Sequence, residues 1–110
     1  MTSSPKIRIC VASLRIAQAA REDLREIRMY SKSAFGARVA RNYLEGLRHV
    51  ISLLRRRPAA GVVEDDLGEG MRGFTYRSHR IYYRLDAEGV LIVRILHHAR
   101  DAMRALEQDR

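Results

Sequence analysis

The sequence predicts an α+β fold: strand-helix-helix-strand-strand-strand, with a helical hairpin packed on a small antiparallel sheet. Three observations carry this expectation. Residues 17–56 hold two stretches of helical periodicity that meet at Gly36. Residues 71–100 read as consecutive strands with turn residues between them. Within that stretch Val90 to Leu96 is a nearly unbroken apolar run, the pattern of a strand at the centre of a sheet with both faces covered.

Each element has its own signal. From Lys6 to about Leu14, Ile7, Ile9 and Val11 alternate with Arg8, Cys10 and Ala12, which predicts a first strand. A helix is expected from about Ala17 to Ala34, with Ala20, Leu24, Ile27 and Tyr30 on one face. Gly36 is placed to stop it. The second helix, from about Ala37 to Arg56, carries Val39, Ala40, Tyr43, Leu44, Leu47, Val50, Ile51 and Leu54 at the 3.6-residue period. Arg55, Arg56 and Arg57 complement its carbonyl end, and Pro58 terminates it. With so short a link the helices must be antiparallel neighbours, and their remaining apolar stripe needs a sheet to cover it.

Residues 59–70 read as a loop, with three glycines and the acidic run Glu64-Asp65-Asp66. Met71 to Arg77 begins the strands, and Ser78 makes a tight link. His79, Ile81, Tyr83 and Leu85 then alternate with Arg80, Tyr82 and Arg84. Asp86 to Gly89 supplies the next turn. After Arg100, a short helix capped by Asp101 would place Met103 and Leu106 as its apolar contacts.

Composition narrows the function classes. The 110 residues suit a single domain, and 46% apolar content is that of a globular protein. No apolar stretch is long enough to span a membrane, and no secretory signal is evident. One cysteine, Cys10, cannot form an internal disulfide; a reducing, cytoplasmic setting fits. The formal charge is +8, and of 21 basic residues only Lys6 and Lys32 are lysine. Such a balance implies either an acidic partner, nucleic acid or an acidic protein segment, or a plain solvated surface.

Catalytic chemistry is hard to place. No cofactor or phosphate-binding motif occurs, and the four histidines have no cysteine pair with which to form a metal site. What remains is a set of arginines along the strands, including Arg72, Arg77, Arg80, Arg84, Arg94 and Arg100, interleaved with Phe74, Tyr76, Tyr82 and Tyr83. Three readings stand open. They could hold RNA, form a groove for an acidic peptide, or be structural, with rings in the core and arginines paired at the rim.

Several segments together resemble a known family. Ala20-Arg21-Glu22-Asp23-Leu24-Arg25-Glu26-Ile27 is similar to the A-x-x-D-L-x-x-I opening of ParE-type toxins. Phe35-Gly36, Ala40 and Tyr43-Leu44 resemble the start of their second helix, and Leu54, Pro58 and Gly61 its exit. His79-Arg80-Ile81-Tyr82-Tyr83-Arg84 and Arg94-Ile95-Leu96-His97-His98-Ala99-Arg100-Asp101 resemble their later strands. The match runs over about residues 8 to 106 and is similar to the ParE/RelE superfamily of toxin–antitoxin systems.

The resemblance implies a cytoplasmic toxin without a cofactor, held in a hetero-oligomer by a ParD-like antitoxin with an acidic C-terminal segment. For ParE members it implies DNA gyrase as target. RelE members instead cut messenger RNA on the ribosome. Of the RelE basic positions only Arg80 and Arg100 match; Met71, Gly73 and Leu106 stand where lysines and a terminal tyrosine are expected. Since arginine is a poor base at neutral pH, non-enzymatic inhibition is favoured over cleavage. The expected antitoxin contacts are Arg38, Arg41, Arg48, Arg72 and Arg77. The expected target contacts are His97, Arg100, Met103 and Leu106.

Overall fold

A computed structural model describes residues 13–97. The elements run β1 (Ser13–Ile16), α1 (Gln18–Phe35), α2 (Ala37–Arg56), β2 (Val62–Val63), β3 (Met71–Tyr76), β4 (His79–Asp86) and β5 (Gly89–His97). Short 3-10 turns at Pro58–Ala60 and Asp65–Leu67 flank β2. The strands form one sheet in the order β1-β5-β4-β3-β2, and the two helices cover one face of it.

The expected helical hairpin is present, and α2 has the expected bounds. Gly36 joins the helices at φ 95°, a conformation open to glycine and strained for other residues. Its N–H closes α1 on the Lys32 carbonyl. The expected strand at residues 6–14 is described from Ser13 only and continues to Ile16. Residues 6–12, with Cys10, and the expected helix over residues 101–110 lie outside the described residues.

The sheet differs from a purely antiparallel one in two ways. β1 pairs parallel to β5, Ser13 opposite Gly89 and Ile16 opposite Ile92. A parallel pair needs a long crossover, and here the connection is everything between the two strands. Secondly, Val62–Val63 is not loop but an edge strand, with Val62 opposite Gly73 and Val63 opposite Arg72. Two residues are too few for alternation to be visible in the sequence.

Alternation along β3, β4 and β5 decides which side chains meet the helices. Phe74, Ile81 and Ile95 share one rung, and His79 and His97 another. A register shift at Tyr82/Tyr83 leaves Val93 as the extra residue of a bulge, so Tyr83 then pairs with Ile92. The core between the layers includes Ala20, Leu47, Leu54, Ile81, Tyr83, Val90 and Ile92, none of which retains exposed surface. Each fully buried Leu or Ile contributes about 1.5–3 kcal/mol relative to an exposed one. β5 is an interior strand, between β1 and β4, although β4 is the central one; the expected cover on both its faces is not met, since Leu91 and Val93 are only half-buried. Leu85, expected on the covered side, is exposed near the end of β4.

Close packing of α2 on β3 depends on Gly46. A methyl group there would collide with the Tyr76 hydroxyl, so only glycine lets the ring lie against the helix. Tyr83 performs the corresponding task at the exit of α2. Its buried hydroxyl donates to the Pro58 carbonyl at 2.6 Å and accepts from the Gly61 N–H at 2.8 Å. Arg72 then donates to the Gly61 carbonyl at 2.8 Å. Burial pushes the Tyr83 hydroxyl above the usual tyrosine range, keeping it protonated as a donor.

The parallel edge is tied by charge. Arg15 donates to Asp86 at 2.6 Å, and the Ser13 hydroxyl donates to the Glu88 carbonyl. The Arg15 hydrogen bond, aided by the Glu88 N–H, holds the Asp86 carboxyl below its ordinary value of 3.8. A depressed carboxyl favours the folded chain above the unfolded value, and that advantage is lost as pH falls through the folded one.

Two outcomes follow for stability. Tyr83→Phe leaves a buried N–H and C=O unpaired and lowers the unfolding free energy in urea by about 1–3 kcal/mol. In the same assay, lowering the pH from about 5 to about 2 narrows the gap between the natural chain and Asp86→Asn, because only the former loses an ion pair on protonation.

Candidate functional site

Three surfaces carry the residues of interest. The first is an apolar shelf where the helical hairpin turns. α1 was expected to bury Tyr30 and α2 to bury Val39, yet both are exposed, at 56% and 47%. Ala20 and Ile27 of α1 are buried as expected and Leu24 is half-buried, but Asp23 and Ser31 complete the buried face in place of Tyr30. The reason lies in the sheet: β4 begins at His79, directly opposite His97 on β5, and no described strand lies under the hairpin beyond that rung. Tyr30, Phe35, Val39, Tyr43, His79 and His97 therefore line an open cleft of about 260 Å³. Tyr30 and Phe35 meet edge-to-face at 6.5 Å.

The floor of this cleft is a ring cluster. The Tyr43 hydroxyl lies 2.7 Å from His79 Nδ1, and the Tyr43 ring meets Tyr76 at 5.2 Å. His79 and His97 are edge-to-face at 5.3 Å. Burial raises the Tyr43 hydroxyl above its ordinary range. Ser31 and Ser78 complete the lining of the cleft around these rings. At its rim, Arg77 occupies the two-residue β3–β4 turn at φ 52°, a conformation that costs a side-chain-bearing residue on the order of 1 kcal/mol. Its guanidinium sits 5.6 Å from the centre of the Tyr76 ring.

The second surface is the sheet face away from the helices. Arg80 is not free there: its guanidinium donates to Glu64 through two nitrogens, with the Nε bond at 2.9 Å, and to the Thr75 hydroxyl at 2.6 Å. Gly73 leaves room for this pair, since a methyl group there would strike both Glu64 and Arg80. At the other end of the sheet Arg94 is engaged too. Asp23 of α1 accepts from Arg94 at 2.8 and 3.0 Å and from the Ile95 N–H at 2.9 Å. It thereby closes the β5 edge where β1 has turned away into α1.

The third surface is a basic trough between α1 and α2 that reaches Ile16 at the end of β1, walled by arginines of both helices. Arg41 and Arg48 belong to it. The five arginines expected to meet an antitoxin are thus spread out: Arg41 and Arg48 in the trough, Arg38 exposed on α2, Arg72 bound to the Gly61 carbonyl, Arg77 beside the shelf. Of the expected target contacts, His97 lies in the shelf, while Arg100, Met103 and Leu106 lie outside the described residues. Glu64 and Asp23 were not foreseen as partners. Their sequence signals, an acidic loop and an acidic helix position, do not say which arginine they reach.

Among the described residues, no group of three or more His, Cys, Asp or Glu is placed to hold a metal ion. No described helix is long and apolar enough to cross a membrane. The described residues thus form a small two-layer α+β protein with three exposed surfaces of different chemistry. Comparison with known proteins makes the class specific: residues 14–102 match the family described as ParE toxin of type II toxin-antitoxin system, parDE. Toxin ParE1 of Mycobacterium tuberculosis, in strains CDC 1551 / Oshkosh and H37Rv, is 33% identical over 92 residues, covering 83% of this chain and 94% of the relative. A solved structure of the chromosomal ParDE TA system from P. aeruginosa superposes with a TM-score of 0.70 at 19% identity, over 80% of this chain and 97% of that one. The chain belongs to the ParE toxin family.

Proposed function

We propose that this protein is the toxin of a type II toxin–antitoxin pair, that it acts in the cytoplasm, and that it acts by binding DNA gyrase rather than by catalysis. Family membership supports the toxin role. The observation that carries the non-enzymatic reading is the state of Arg80. It is the one described position matching the basic residues of the ribonuclease branch, and Glu64 and Thr75 already occupy its donors. A guanidinium neutralised in that way is poorly placed to stabilise a phosphate in flight.

A ParD-type antitoxin has a natural seat on the shelf at the hairpin turn. Tyr30, Phe35 and Val39 leave apolar area that a monomer in water gains nothing by exposing. Arg77, next in the chain to Ser78 of the cleft wall, offers a cation to an acidic segment laid across the rings. Aromatic anchors ringed by charge are the usual composition of a tight interface.

Two experiments test this reading. Induced without its antitoxin, the chain arrests growth, and the purified protein inhibits gyrase supercoiling; in-codon cleavage of messages with unimpaired supercoiling would instead favour the ribonuclease reading. Tyr30→Asp with Val39→Asp weakens antitoxin binding at least tenfold in titration calorimetry while the fold, checked by circular dichroism, is retained. Unchanged affinity would move the seat elsewhere on the molecule.

A further inference from the structure

We propose that the trough between α1 and α2 binds the sugar–phosphate backbone of a nucleic-acid duplex, independently of the shelf and of the gyrase reading. Arg21, Arg25, Arg28 and Lys32 recur along α1 at spacings of four, three and four, and so form one stripe. Arg41 and Arg48 face them from the antiparallel α2. All six side chains are exposed. The described ion pairs fall on Arg15, Arg80 and Arg94, so none of these six cations is neutralised by a described carboxylate. Glu45 is the one acid in the walls.

The trough is continuous. Two depressions, of about 430 Å³ and about 350 Å³, share Arg28, Leu44 and Arg48. From Arg21 to Lys32 the row runs roughly 16 Å at the helical rise. A duplex carries one phosphate charge per ~1.7 Å of axis, so a row of that length meets enough anions for every cation.

The lining argues for backbone contact and against the other anionic partner, an acidic peptide. A docked peptide needs apolar pockets for its side chains, but Ala40 and Leu44 on the floor are buried at 3% and 6% exposure, and the remaining apolar lining is only Ala37 and the half-buried Ile16 and Leu24 among six cations. No Asn, Gln or aromatic residue lines either depression, so adenine readout and base stacking have no residue to carry them. A row of cations spaced along a helix meets phosphates first, which gives binding that is strong at low salt and weakly dependent on sequence.

The test uses the full chain and fluorescent 20-base-pair duplexes of arbitrary sequence, one DNA and one RNA, titrated across a salt series. The DNA and RNA arms report which duplex form is preferred. Binding through all six cations gives a log–log salt slope of about −5, at ~0.9 per neutralised phosphate. The triple variant Arg25→Glu, Arg28→Glu, Arg48→Glu loses at least tenfold in affinity and its slope falls by about 3. The control Arg56→Glu, Arg57→Glu, Arg84→Glu makes the same change in net charge away from the trough and loses less than threefold. A milder pair, Arg28→Gln with Arg48→Gln, repeats the loss should the triple variant fail to fold. Equal losses in trough and control variants would reduce the effect to net charge and overturn the proposal. So would displacement of the duplex by a 20-residue polyglutamate at equal charge concentration, which would assign the trough to an acidic polypeptide.

Discussion

Among the described residues, apolar burial is concentrated on one side of the sheet. A two-layer domain has a single interface in which to hide apolar surface, and here it is the plane between the hairpin and the covered face of the sheet. Leu47 and Leu54 of α2 meet Ile81 and Tyr83 of β4 and Ile92 of β5 across that plane without residual exposure. Every other surface must be stabilised by polar pairing or left for a partner. The uncovered sheet face is stabilised in the first way, by Arg80 with Glu64 and Thr75, and by the loop that folds over Met71. The hairpin turn keeps exposed rings and the outer side of the helices keeps exposed cations.

That division explains why arginines of similar appearance differ in what they can do. Arg15, Arg80 and Arg94 each have a carboxylate within ion-pair distance and hold strands or layers together. Arg72 serves a carbonyl near the exit of α2. Along the outer hairpin Arg21 also reaches a carbonyl, that of Ile16 at 3.2 Å, but none of the six cations there pairs with a described carboxylate, and they contribute to the external field. Net charge alone would not have separated the two groups, because a guanidinium's role is decided by whether its counter-ion belongs to the same chain.

Much of this architecture was legible in the residues. The 3.6-residue pattern from Val39 to Leu54, bounded by Gly36 and Pro58, is a local signal, and α2 follows it. The β4–β5 hairpin was equally readable, because turn residues and alternation agree there. What escaped was decided by distant packing. Tyr30 and Val39 continue the helical stripe in sequence, but the described sheet does not reach them. Asp23 looks like a surface acid until β1 leaves the β5 edge open beneath it. The parallel β1–β5 pairing has no sequence signature, since nothing in four residues states which strand they will join. For the contact surfaces, residue type was visible and grouping was not: Arg41 and Arg48 acquire a common setting with Arg25 and Arg28 only once the helices are antiparallel.

The pairing of β1 with β5 has a consequence in time. Ser13 and Glu88, joined by a hydrogen bond, are 75 residues apart, so the outer strand cannot settle until nearly the whole described chain is available. Closing so long a loop is entropically costly and makes folding slow compared with forming the hairpin. On a ribosome adding roughly 5–20 residues per second, the helices emerge several seconds before their sheet can be completed. During that interval the nascent chain is a pair of amphipathic helices without a floor.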